Sequence, residues 1–208
     1  MGNHLSYSMK LVTFKHIKKE SEKRVAFEKP GKYIVFFHNL SGELVFDIQE
    51  KGVDLDIYGL YTGHKKDSFK VKTVQHHRVP GSQSNLLIKG VFDDESVFLY
   101  EGMIRIEKSA QGSHTYQKNQ NLLLSPQVFV SSKPYLEILA NDVYCTHGST
   151  TGKLNKQELF YIQTRGVDIK KSENIMINGF IENMFSKISE SGIHEIESYK
   201  YSILKSYA

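Results

Sequence analysis

The sequence predicts a mainly β chain wound as a solenoid, with a helical domain at its C-terminal end. Three observations predict it. From Tyr33 to Ala140, strand-like runs follow one another with no helical stretch between them. Several of these runs alternate apolar and polar residues at period two, which puts one face in a core and the other in water. After about residue 154 the apolar spacing changes to three and four, the period of a helix.

Residues 1 to about 30 are polar and basic and end at Lys29-Pro30-Gly31. They read as an N-terminal lead-in, residues 1–32, with one strand from Leu11 to Phe14. The β body, residues 33–154, opens on the aromatic and β-branched run Tyr33-Ile34-Val35-Phe36-Phe37. Further strands are expected at Glu43–Ile48, Val53–Tyr58, Phe69–Val74, Asn85–Lys89, Ser96–Tyr100, Met103–Ile106 and Tyr135–Leu139. A doubly wound parallel sheet needs helical crossovers, and the body offers none. A sandwich, a barrel or a solenoid remains. Close, irregular turns of glycine and acidic residues favour the solenoid, although the repeat is too degenerate to fix a period.

The helical domain spans 155–208. Asn155 can cap a first helix, with Glu158 three residues on, and Gly166 stops it. Asp168 can cap a second helix, whose Ile177, Phe180, Ile181, Met184, Phe185 and Ile188 form an apolar stripe ended by Ser191-Gly192. A last helix carries Ile193, Ile196, Ile203 and Leu204. The stripe is expected to cover the mouth of the β body, or else to dock a partner.

The 208 residues suffice for one domain with a sizeable core. Lysine and arginine number 27 against 23 acidic residues, a net charge of +4 spread along the chain, which argues against a nucleic-acid surface. No apolar run approaches a membrane span. Met1-Gly2 followed by Ser6 fits the loose myristoylation pattern and reads as chance. With no export signal, Cys145 as the only cysteine points to a reducing cytoplasm and excludes an internal disulfide.

Gly148-Ser149-Thr150-Thr151-Gly152-Lys153 resembles a phosphate loop but has three residues between its glycines, where four are needed, and Leu154 in place of the magnesium-binding hydroxyl. It reads as a tight connection between the last strand and the first helix. His76 and His77, adjacent on a strand, face opposite ways and cannot easily share a metal. One of them is expected to make a turn hydrogen bond. His38, His64 and His114 are isolated, and the nucleophile-elbow pattern is absent.

Cys145 and His147 lie two apart, so on an extended strand they share a face. A thiolate and an imidazole suit iron or zinc. Two donors do not complete a site, so ligands must come from elsewhere in the fold or from a second chain. The plainer alternative is a small buried thiol beside a polar strand residue. A zinc-dependent hydrolase using a third histidine, or a metal-free solenoid that binds a protein or sugar, is the competing function.

A long ordered series of residues resembles the SufB/SufD family, the scaffolds of SUF iron–sulfur cluster assembly. It runs through His76-His77-Arg78-Val79-Pro80-Gly81-Ser82-Gln83-Ser84, Lys89-Gly90-Val91-Phe92-Asp93-Asp94, and Tyr116-Gln117-Lys118-Asn119-Gln120-Asn121-Leu122-Leu123-Leu124-Ser125. It continues through Pro134-Tyr135-Leu136-Glu137-Ile138, Cys145-Thr146-His147-Gly148, Leu159-Phe160-Tyr161, Arg165-Gly166-Val167 and Asn178-Gly179-Phe180-Ile181. The resemblance implies a right-handed parallel β-helix with a C-terminal helical domain, and a non-catalytic scaffold role. It implies pairing through the β-helix with a SufB-type subunit or a second copy, and docking of a SufC-type ABC ATPase on residues 155–208. Cys145-Thr146-His147-Gly148 is similar to the SufD form, and Ile162 stands where SufB supplies a cysteine. His147, with Cys145 second, is thereby implied as a ligand of a transient iron–sulfur cluster completed by a partner chain. A cluster usually takes four thiolates, which this chain cannot supply alone. Nothing in the sequence indicates a flavin, and nothing excludes one.

Overall fold

A computed structural model describes residues 12–18 and 23–205. The Met1–Ser6 pattern and Leu11 lie outside the described residues. In chain order the elements are β1 (Val12–Ile17), β2 (Arg24–Phe27), β3 (Gly31–His38), β4 (Gly42–Ile48), β5 (Val53–Gly63), β6 (Ser68–His77), β7 (Gln83–Phe92), β8 (Val97–Ile106), β9 (Ser113–Leu123), β10 (Phe129–Ile138) and β11 (Val143–Lys153). Three helices follow: α1 (Lys156–Gln163), α2 (Ile169–Glu190) and α3 (Glu197–Leu204).

Odd-numbered strands form one sheet, β1-β3-β5-β7-β9-β11, and even-numbered strands form the other, β10-β8-β6-β4-β2. Each strand pairs in parallel with the next but one, so the chain winds back and forth between two sheets as a β-solenoid. Leu55 pairs with Ser84, Ser84 with Thr115 and Thr115 with Cys145, steps of 29, 31 and 30 residues. That is the period the sequence conceals. The first two coils are shorter, since Thr13 pairs with Tyr33 and Tyr33 with Leu55. At one corner Gly52, Gly81 and Gly112 adopt φ of 77°, 65° and 67°, a left-handed turn that favours glycine. Successive corners are linked, the Gly52 amide donating to the Gly81 carbonyl at 3.2 Å.

Two cores result. Side chains that point between the sheets, among them Phe37, Phe46, Tyr61, Phe92, Phe98 and Tyr100, fill the lumen. A second row, including Ile34, Phe36, Leu60 and Val91, points outward from the odd-numbered sheet and is covered by Ile177, Ile181, Met184, Phe185 and Ile188 of α2. This is why β3 reads as a continuous apolar run: both of its faces are buried. The α2 stripe therefore covers the side of the solenoid, not its mouth. The outward apolar row is the surface that fits it, and the terminal strands β10 and β11 stay open.

The capping residues act as the sequence suggests. Asn155 accepts from the Gln157 amide at 2.9 Å, and Asp168 from the Lys171 amide at 3.0 Å. Other local readings change. Two strands, β1 and β2, precede Tyr33 where one was expected, and they take the first places in the two sheets. Residues 148–153 are not a tight connection but the second half of β11, paired in register with β9. Hydrophobic alternation does not mark β9, because its inward residues Ser113, Thr115, Gln117, Asn119 and Asn121 are polar and only Leu123 at its end is apolar. Hydrophobic alternation cannot reveal a strand whose buried face is polar.

Candidate functional site

Cys145 and His147 stand on β11, the last strand of its sheet. Parallel in-register neighbours stack side chain on side chain. Cys145 pairs with Thr115 and His147 with Gln117, both of which are 2% exposed and face the lumen. Cys145 and His147 thus continue the lumenal rows, and among the described residues no further strand pairs on β11. Cys145 is half-buried and His147 exposed. The sequence reading of one shared face agrees with this register.

Each row becomes polar as it nears β11. One runs Tyr33, Leu55, Ser84, Thr115, Cys145, and the next runs Val35, Ile57, Leu86, Gln117, His147. Farther along, Asn119 and Asn121 exchange hydrogen bonds at 3.2 and 2.7 Å, and Asn121 also donates to Thr151 at 3.2 Å. Ser149 on β11 reaches across the coil to Ser132 on β10 at 3.0 Å. Three buried polar atoms under β11 have no partner among the described residues: Ser113 Oγ, Thr115 Oγ1 and Gln117 Oε1.

Cys145 packs beside Ile104, Ile106, Ala110 and Ala140. Burial pushes its thiol up. The nearby Thr115 hydroxyl works the other way without reaching full hydrogen-bond geometry. A raised thiol is less readily a free nucleophile, but a bound metal cation would favour the thiolate. Both readings of Cys145 share this position: it is a small hydrophobe at the edge of an apolar cluster and a sulfur donor at an open coil. Among the described residues, no third histidine, cysteine or carboxylate joins the pair in a metal-binding group.

The other histidines lie elsewhere. His77 is fully buried between Ser82, at 2.9 Å, and Ser84, at 2.8 Å, and Ser84 donates onward to Gln75. Burial pushes its pKa down to about 4. His76 faces outward, 2.9 Å from Glu107 and 3.4 Å from Asp47. His38 bridges Thr62 on β5 and Tyr199 on α3 at 3.0 and 2.8 Å.

The C-terminal helices present a second candidate surface. None of the residues of α1 is buried, and Phe160 and Tyr161 are 67% and 60% exposed. Arg165 lies over the Tyr161 ring at 4.4 Å. On α2, Ile169 and Ile175 are also exposed, at 46% and 45%.

Comparison with known protein families places this geometry. The family described as SUF system FeS cluster assembly, SufBD core domain, matches residues 21–180. The chain belongs to the SufBD family. It is similar to an iron–sulfur cluster assembly SufBD family protein of Mycobacterium leprae, 28% identical over 152 residues, covering 69% of this chain and 39% of that protein. It is also similar to the iron–sulfur cluster assembly protein SufD of Escherichia coli, 27% identical over 161 residues, covering 77% of this chain and 37% of that protein. The chloroplastic protein ABCI7 of Arabidopsis thaliana is 31% identical over 122 residues, covering 59% of this chain and 25% of that protein. The chain thus spans between a quarter and two-fifths of the length of these SufBD relatives. Its likeness within the family is to SufD. Among the described residues no helix is long and apolar enough to cross a membrane.

Proposed function

We propose that this chain is a SufD-like scaffold subunit that contributes His147, with Cys145 second, to a nascent iron–sulfur cluster held at an interface. The cluster is cargo, not a resident cofactor. The observation that carries the reading is the position of the pair: two donors on the terminal strand, facing the open end of the lumen, with no third ligand beside them among the described residues. Such a pair can bind iron and sulfide only when a second chain supplies the rest. Incomplete ligation by each partner also suits a cluster that must later be given away.

The backbone of β10 and β11 supports the pairing half of the proposal. Both are edge strands with one side unpaired, and their surroundings are apolar: Phe129, Tyr135, Leu139 and Tyr144 are each at least 43% exposed. An open edge of this kind is a template for a second sheet, either a SufB-type subunit or another copy. The exposed face of α1 supports docking of a SufC-type ATPase. An eight-residue helix with nothing buried is marginal by itself and gains from a partner's cover. In this reading ATP hydrolysis belongs to that partner and the chain itself is non-catalytic.

Anaerobic reconstitution with SufB- and SufC-type partners tests the site. His147→Ala should abolish the cluster's visible absorption and its transfer to an apo-acceptor, while leaving the complex assembled. Unchanged cluster assembly in His147→Ala would refute the assignment. Metal analysis of the isolated chain separates the zinc-hydrolase alternative, which requires stoichiometric zinc in a single copy.

A further inference from the structure

We infer that Gln117 is a positioning residue for His147, accepting a hydrogen bond from one imidazole N–H so that the other ring nitrogen presents its lone pair at the open end of the lumen. The contact is argued from the fold; its consequence for cluster binding rests on the function proposed above.

Gln117 is 2% exposed and faces the lumen on β9, one strand below His147 and in register with it. Its amide group has a forced orientation. Nε2 donates to the Gly102 carbonyl at 3.3 Å, and a carbonyl can only accept, so the nitrogen must face Gly102. Gly102 admits this approach because it lacks a side chain; a Cβ there would lie 2.5 Å from Gln117 Cδ and overlap the Nε2. Oε1 is therefore turned away from Gly102, and it is buried with no partner among the described residues. An acceptor left buried and unpaired is destabilising, so a donor within reach is strongly favoured. Within its own stacked row the strand below offers none, since Gln117 pairs on that side with Leu86. The row above offers His147. An imidazole that donates one N–H to an amide carbonyl is fixed in tautomer and ring orientation, which is how metal-ligating histidines are commonly held.

The test reads the imidazole directly, on the intact chain without cluster. Long-range ¹⁵N–¹H NMR of histidine-labelled protein, with the signal assigned by loss in His147→Ala, reports which ring nitrogen carries the proton. One tautomer should dominate at a pH where His147 is neutral. Gln117→Met, similar in volume but without the acceptor, should give a mixture of tautomers. Gln117→Glu, whose protonated carboxyl can both donate to Gly102 and accept from His147, should restore the single form. In reconstitution Gln117→Met should weaken hold on the metal by roughly 10–100-fold. A tautomer mixture in the unmodified chain, or a single tautomer unchanged in Gln117→Met, would overturn the assignment. The unmodified spectrum suffices if Gln117→Met does not fold. The spectra decide the contact even if His147→Ala assembles clusters normally, an outcome that would remove only the functional reading.

Discussion

Lys89 on β7 drives its ammonium into the second helix, donating to the Phe180 carbonyl at 2.6 Å and lying over the Phe180 ring at 4.4 Å. A further hydrogen bond at 3.0 Å reaches Asn183. The side chain is 2% exposed and bolts α2 onto the odd-numbered sheet. Burial, with Lys187 and Lys118 nearby, pushes its pKa down to about 8. Between about pH 8 and the ordinary lysine value near 10.4, the unfolded chain therefore holds more protons than the folded one. This residue's contribution makes the fold more stable as pH rises through that window. Lys89→Met should remove that part of the slope when urea midpoints are compared at pH 7.5 and pH 10.

His77 makes the opposite end of the pH range informative. Its neutral ring is sealed between Ser82 and Ser84, and its pKa is about 4 against an ordinary value near 6.5. The stability it supports is complete above that ordinary value. It is lost as pH falls from there towards 4, because only the unfolded chain readily takes the proton. The loss should amount to about 2–3 kcal/mol. His77→Gln should be less stable than the parent at pH 7 yet show a flatter decline to pH 4.5, measured by thermal or urea unfolding.

Gly102 is a packing requirement. A methyl group there would meet the Gln117 amide and the Tyr100 hydroxyl, which itself bonds to Thr73 at 3.0 Å. Gly102→Ala should cost about 1–3 kcal/mol, the usual result of overpacking a filled core. An urea midpoint equal to the parent's would show that the lumen has slack at this level.

The exposed face of α1 can be tested without disturbing the fold. Phe160→Asp removes an apolar surface residue and should change stability by no more than ~0.5 kcal/mol. It should nevertheless abolish co-purification with the SufC-type ATPase. Retained co-purification would move the docking surface elsewhere.

The sequence by itself determined the period-two strands, the caps at Asn155 and Asp168, the apolar stripe of α2 and the shared face of Cys145 and His147. These are local properties, set by side-chain alternation and by hydrogen bonds within a few residues. What only the tertiary structure decided is everything that depends on stacking. The period of about 30 residues is visible in pairs such as Ser84 with Thr115, but turns of unequal length hide it along the chain. β9 became legible as a strand only when its polar inward row was seen between Leu86 below and His147 above. Whether α2 lay over the mouth or the side depended on which strand faces stayed apolar after the coils had formed. The surroundings of His147 likewise come from Gln117, thirty residues earlier, because a solenoid brings together residues one coil apart and local sequence does not record which ones.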